Sequence, residues 1–162
     1  MQRLWSPWRS QYIASGVDSY GEGCVFCSIA VDPDNDAAHF VLHRGEHTFV
    51  LLNLYPYITG HLMVVPYLHT SEFDSTPKEI TDEMMDQTKR AQAALREVYK
   101  PAGFNMGMNL GLAAGAGIAD HLHIHMLPRW SGDTNFMTAV GDTRVLPEDL
   151  QMTYSKLRPR FV

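Results

Sequence analysis

The run His121-Leu122-His123-Ile124-His125-Met126-Leu127-Pro128, HLHIHMLP, decides how this chain folds and what it does. Three of the eight histidines stand here at alternate positions, with large apolar residues between them. In an extended strand alternate side chains share a face, so three imidazoles line one side while Leu122, Ile124 and Met126 enter a core on the other. In a helix the same rings would scatter around the axis. The alternation selects a strand over 121–127, and with it a row of imidazoles facing a cleft. One histidine on a strand is ordinarily a hydrogen-bonded structural residue. Three in register are poor core fillers and mediocre strand formers, and a shared imidazole face suits nucleophilic, acid–base or metal chemistry.

Immediately upstream lies Asn109 to Gly117, NLGLAAGAG. Its glycines let backbone N–H groups approach an anion closely. Alone it reads first as a flexible connection; leading into the histidine strand, it reads as a phosphate cradle facing the imidazoles. Phe104 to Leu110 alternates as a further strand. His47–Asn53 and His61–Pro66 are rich in Val and Leu and are separated by LYPYITG, which reads as two neighbouring antiparallel strands. Residues 77–99 form the clearest helix, with Thr76 as cap, Pro77 at the first position and Glu79 completing a capping box. Its apolar stripe is Ile80, Met84, Ala91, Leu95 and Val98, and Lys100-Pro101-Ala102-Gly103 ends it. A second helix starts near Pro147, with Leu150, Tyr154 and Leu157 on one side. One helix between strand pairs gives an α+β fold with an antiparallel sheet.

The 162 residues suffice for one domain with a core that needs no disulfides. A net charge of -5 argues against a nucleic-acid-binding surface, though not against a small phosphorylated ligand in a locally positive pocket. No run of 18 apolar residues marks a membrane span, and MQRLWSPWRSQYIA lacks the apolar centre of a signal peptide, so a cytoplasmic location is expected. Residues 1–20 read as an arm anchored by Trp5, Trp8 and Tyr12, ahead of a single domain over 21–162. Cys24 and Cys27, three apart, suggest metal binding or redox work in a reducing compartment.

HLHIHMLP, with NLGLAAGAGIAD before it, resembles the signature of the histidine triad (HIT) superfamily of nucleotide hydrolases and nucleotidyl transferases. CVFCSIA resembles that family's opening segment and VLLNLYPYITGHLMVVPYLHT its central hairpin, so the likeness runs from Cys24 to Trp130 in order. LWSPWRSQYI, NLYPY and PRWSGDTNF are closer still to the bacterial branch that includes diadenosine polyphosphate phosphorylases. The resemblance implies a HIT-like antiparallel sheet of about five strands with one long and one or two shorter helices, and a homodimer.

It also implies roles. His123 would attack the α-phosphorus of a purine nucleotide or dinucleoside polyphosphate, forming a nucleotidyl-histidine intermediate, and His125 would assist the leaving group. Asn109, Gly115 and Gly117 would hold phosphate oxygens, Asn53 the ribose hydroxyls, and Val25, Phe26, Ile29 and Leu51 the base, with simple core packing as the plain alternative for these apolar residues. Gly117 stands where several nucleotide-hydrolysing members carry Ser or Thr, and the Asn109–His121 spacing is one residue longer than in the shortest members. Both features leave open the leaving-group contact and with it the acceptor: water, phosphate or a second nucleotide. In related proteins a histidine after the hairpin and the first triad histidine complete a structural zinc site, here Cys24, Cys27, His69 and His121. No organic cofactor is implied. His39, His43, His47 and His61 read as structural or exposed, with His61 helping to shape the hairpin, and Arg9 and GDTNF (132–136) as candidate substrate contacts. A nucleotide sensor with little turnover and a zinc-dependent hydrolase using the triad as ligands are the rival readings.

Overall fold

A computed structural model describes residues 23–134, 140 and 146–161. The expected arm at 1–20, Arg9, and Asn135 and Phe136 of GDTNF lie outside them. The chain runs α1 (Val25–Ala30), β1 (Val41–Arg44), β2 (Thr48–Leu52), β3 (Leu62–Pro66), α2 (Lys78–Tyr99), β4 (Gly103–Gly107), β5 (Ile124–Arg129) and α3 (Leu150–Leu157). The five strands make one antiparallel sheet in the order β1-β2-β3-β5-β4. This is the expected α+β architecture with one long and two shorter helices. β1 to β3 form a meander; α2 then crosses the sheet to the far edge, and β5 returns to the gap beside β3.

β2 and β3 are buried on both faces, which is why they read as near-continuous Leu and Val runs rather than alternating ones. One face, with Val50, Leu52, Leu62, Val64, Ile124 and Met126, packs on Ile80, Met84, Ala91 and Leu95 of α2 and on Leu157 and Phe161. The opposite face, with Phe49, Leu51, Met63 and Val65, is covered by Phe26 and Ile29 of α1. Because Ile124 and Met126 belong to the α2 side, the histidines between them must face the α1 side. That single parity places the site.

Three local expectations are corrected. Thr76 does not cap α2: Pro77 takes the cap position, and the Thr76 hydroxyl donates back to the Glu72 carbonyl at 2.7 Å. The strand expected over 104–110 is Gly103–Gly107, and that expected over 121–127 begins only at Ile124. α2 ends where Lys100 turns left-handed, with φ of 47°, and its N–H bonds the Arg96 carbonyl. At the start of α3, Asp149 accepts from Met152 N–H at 2.7 Å.

Candidate active site

His121, His123 and His125 are all buried on the α1 side of the sheet. Register brings Met63 of β3 opposite His125 on one flank and Gly107 of β4 opposite it on the other. Gly107 has no side chain, and a Cβ built there meets nothing within 4 Å, so the sheet is open beside His125. Gly60 precedes the hairpin's second strand at φ of 78°, and a Cβ there would come within 3.0 Å of Leu95. Only glycine fits that turn, and the turn delivers His61 into the sheet.

The four histidines have assigned proton positions because three imidazoles each meet a main-chain group of fixed polarity and the fourth, His125, meets one of those three. His121 Nε2 lies 2.8 Å from the Pro66 carbonyl and must donate to it, which leaves its Nδ1 lone pair open. His123 Nδ1 lies 2.9 Å from the His121 carbonyl and must likewise donate, so its Nε2 carries the lone pair. His61 Nδ1 accepts the Tyr57 N–H at 3.2 Å, so its proton sits on Nε2, 2.9 Å from His125 Nδ1. His125 accepts there and therefore carries its own proton on Nε2. The pair His123 and His125 thus combines a nucleophilic nitrogen with a proton donor, their rings 4.7 Å apart and nearly perpendicular at 80°.

Burial pushes the His123 imidazole below its ordinary value, against the opposing pull of its bond to the His121 carbonyl. Burial does the same to His61, reinforced by His125 and His123, and takes it well below. His121 is lowered first by burial. Neutral imidazoles at neutral pH are what nucleophilic attack needs.

Around His121 a second cluster forms. Its Nδ1 lies 3.2 Å from Cys24 Sγ, 3.7 Å from Cys27 Sγ and 3.2 Å from His69 Nδ1, and Cys27 Sγ is 3.3 Å from His69 Nδ1. All four ligand atoms lie within 4.8 Å of one another. A tetrahedron with Zn–N near 2.0 Å and Zn–S near 2.3 Å has edges of about 3.3–3.8 Å. The four groups expected from the sequence therefore converge with the spacing of a metal tetrahedron, and the open lone pair on His121 Nδ1 points into it. Burial and the adjacent Cys24 sulfur push the Cys27 thiol up, the opposite of what a bound dication would do.

The remaining expected residues sit as follows. Asn53 Oδ1 accepts the Tyr55 N–H at 2.9 Å, and its amide nitrogen lies over the His61 ring, 3.3 and 3.5 Å from the two ring nitrogens. The loop after β4 places Asn109 half-buried and makes a short turn over Leu112–Ala114, between Gly111 and Gly115, both with positive φ. The Gly115 N–H donates to the Leu112 carbonyl at 2.9 Å, whereas Gly117 is exposed beyond the turn. Phe26, Ile29 and Leu51 are buried together and Val25 is half-buried. His39 bonds Asp32, His43 stacks near Arg90 and Phe161, and His47 offers its N–H to Glu83, so these three are structural. His61, expected to shape the hairpin, accepts from Tyr57 N–H within it and is in addition 1% exposed and bonded to a triad member.

A sheet of this topology, with three alternate histidines on one face and a glycine loop beside them, is that of the histidine triad proteins. The chain belongs to this family: the HIT domain matches residues 35–132. Over 159 residues it is 40% identical to a protein named AP-4-A phosphorylase from Mycobacterium tuberculosis, covering 94% of this chain and 80% of that one. A bis(5'-nucleosyl)-tetraphosphatase [asymmetrical] from Schizosaccharomyces pombe is 30% identical over 94 residues, 57% of this chain and 50% of that protein. Among solved structures, a Zn-bound histidine triad family protein from Mycobacterium smegmatis is 31% identical with a TM-score of 0.68, covering 85% of this chain and 92% of that chain.

Proposed function

We propose that this protein cleaves dinucleoside polyphosphates by nucleotidyl transfer through His123, with inorganic phosphate as the acceptor. The observation that carries the reading is the fixed Nδ1–H of His123 on the His121 carbonyl, which turns the Nε2 lone pair outward beside the protonated Nε2 of His125. His123 Nε2 bonds to the α-phosphorus as the bond to the bridging oxygen breaks; the Nε2–H of His125 donates a hydrogen bond to that oxygen, which leaves as the terminal phosphate oxygen of the departing nucleotide. A phosphate oxygen then attacks the same phosphorus, the P–N bond breaks, and the imidazole is neutral again. In this reading Asn109 and Gly117 hold phosphate oxygens, and Asn53 meets the ribose once its amide leaves the His61 ring; Gly115 contributes by shaping the turn, its own N–H donating to the Leu112 carbonyl. Half-buried Val25, backed by the buried Ile29 and Leu51, forms the base side of the cleft. The mycobacterial relative's name supports phosphate as acceptor.

Zinc is the metal that best fits two sulfurs and two imidazoles at these distances. Two thiolates would neutralise the dication, closing a structural site that holds His121 while leaving His123 and His125 to the reaction. We take residues 21–162 as one domain that acts in the cytoplasm, where both thiols stay reduced. We also take the protein as a homodimer: β4 is an edge strand, and its Met106 is 54% exposed.

Incubation with diadenosine tetraphosphate and labelled phosphate tests the reading. Equal ADP and ATP with label in ADP supports it; AMP and ATP regardless of phosphate makes the acceptor water; saturable binding without turnover makes the protein a sensor. His123→Asn should bind nucleotide without cleaving it, light scattering should give twice the 18.3 kDa chain mass, and metal analysis should return about one zinc per chain.

A further inference from the structure

We infer that Phe26 is a positioning residue for the nucleophile, acting through His123 rather than on the substrate's base; this rests on the covalent reading of His123. The family likeness assigns Phe26 to the base slot, yet the ring is 2% exposed and has no face to offer a ligand. What it touches is the triad. Its centroid lies 5.2 Å from that of His123, tilted at 56°, and 5.3 Å from that of His121, nearly edge-on at 77°.

His123 has one hydrogen bond fixing its orientation, from Nδ1 to the His121 carbonyl. One such bond leaves an imidazole free to rock about the bond's axis. Two ring neighbours limit that freedom: His125, nearly perpendicular at 4.7 Å, and Phe26, tilted at 5.2 Å. Phe26 is itself held firmly. It packs with Ile29, Phe49, Leu51 and Met63 below the site, and it stands between Cys24 and Cys27, whose sulfurs both approach His121 Nδ1. The Cys24–Cys27 turn is therefore the mount, and Phe26 the wall that sets where His123 Nε2 points. Of the four apolar residues assigned to the base, half-buried Val25 is the one that keeps appreciable surface of its own.

A wall and a base contact fail differently. Misaimed attack lowers the rate of the bond-forming step, a displacement of about 1 Å costing on the order of a hundredfold, whereas a lost base contact weakens binding and base discrimination. The test compares Phe26→Leu and Phe26→Met with the parent protein, each assayed below its melting midpoint on diadenosine and diuridine tetraphosphates at saturating phosphate. Expected are a kcat lowered about tenfold in both variants, KM within twofold, an unchanged preference between the two bases, and weakening of the slowly exchanging His123 Nδ1 proton in NMR spectra. Phe26→Met keeps the test open should Phe26→Leu fail to fold. A raised KM with kcat intact, or a changed base preference, overturns the inference in favour of a base contact; unchanged kcat and KM overturn it in favour of plain core packing. His123→Asn run alongside separates the two levels: full turnover in that variant removes the covalent reading itself, whatever Phe26 does.

Discussion

Replacing His61 by Asn isolates the proton relay behind His125. In the intact protein the Tyr57 N–H fills the Nδ1 lone pair of His61, so Nε2 donates over 2.9 Å to His125 Nδ1 and leaves the His125 proton on Nε2. An Asn side chain ends near the position of Nδ1. It still meets Tyr57, but no atom reaches His125. Losing one buried neutral hydrogen bond removes about 1 kcal/mol of tautomer bias, and freeing the His125 ring removes a comparable amount of alignment. At 1.36 kcal/mol per decade, kcat should fall about 10–100-fold. His61→Gln places an amide near the Nε2 position and should recover most of that loss. Leaving groups supply the sharper assay. A substrate whose leaving oxygen is less basic than a terminal phosphate leans less on the Nε2–H of His125, so the His61→Asn defect should shrink with it. A folded His61→Asn protein with kcat within twofold of the parent, or an equal defect with both leaving groups, would refute the relay.

Four further outcomes follow from the same geometry. Zinc removal by a strong chelator should lower the melting midpoint and the activity together and be reversed by zinc, and His69→Ala should weaken metal affinity at least about tenfold; protein purified without chelators and devoid of zinc sinks this expectation. His123 is lowered by burial from an ordinary 6.5, so the acid limb of kcat/KM should lie below pH 6.5, and a limb above it contradicts the assignment. His61 and His121 are also lowered, so below about pH 6.5 the unfolded chain binds protons the fold excludes; stability should fall as pH drops from 7.5 to 5.5, and a constant midpoint over that range argues against it. Glu83 accepts from the His47 and Thr48 N–H groups and the Thr48 hydroxyl at 2.7–3.0 Å, pinning the β1–β2 turn to α2. Glu83→Gln should therefore cost about 1.5–3 kcal/mol in denaturant unfolding with kcat/KM unchanged; a rate loss would mean the turn reaches the site.

The elements that were plain in the sequence are those whose burial repeats. Ile80, Met84, Ala91 and Leu95 fall on one stripe of α2, and the Leu and Val runs of β2 and β3 belong to strands covered on both faces. β1 escaped notice because it is four residues long and its pairing shifts register between Val41 and His43, which breaks the alternation. α1 escaped because six residues with no capping side chain carry no periodic signal; tertiary packing through Phe26 and Ile29 holds it. His61 was visible as a residue but not as a partner. Its bond to His125 depends on β3 lying beside β5 with Met63 opposite His125, a register set by the crossover through α2 and absent from local sequence. The cysteine pair, by contrast, was legible with both its histidines, because the resemblance supplied the long-range contacts.

The late start of β5 has a chemical consequence. Had the ladder run over 121–127 as the alternation suggests, the His121 carbonyl would have been available to a neighbouring strand as an acceptor. In the structure the paired register begins at Ile124, opposite Val64, while Leu122 reaches out of the sheet to donate to the Thr70 carbonyl at 2.8 Å. The His121 carbonyl is thereby left to accept from His123 Nδ1, and the His121 side chain is tied at one nitrogen to Pro66 and at the other to the cysteine cluster. One residue thus joins the end of the strand, the cysteine cluster and the tautomer of His123. The irregular entry to β5 is what frees main-chain acceptors for the imidazoles, so lengthening the strand toward His121 would add a sheet hydrogen bond and cost the His123 ring its anchor.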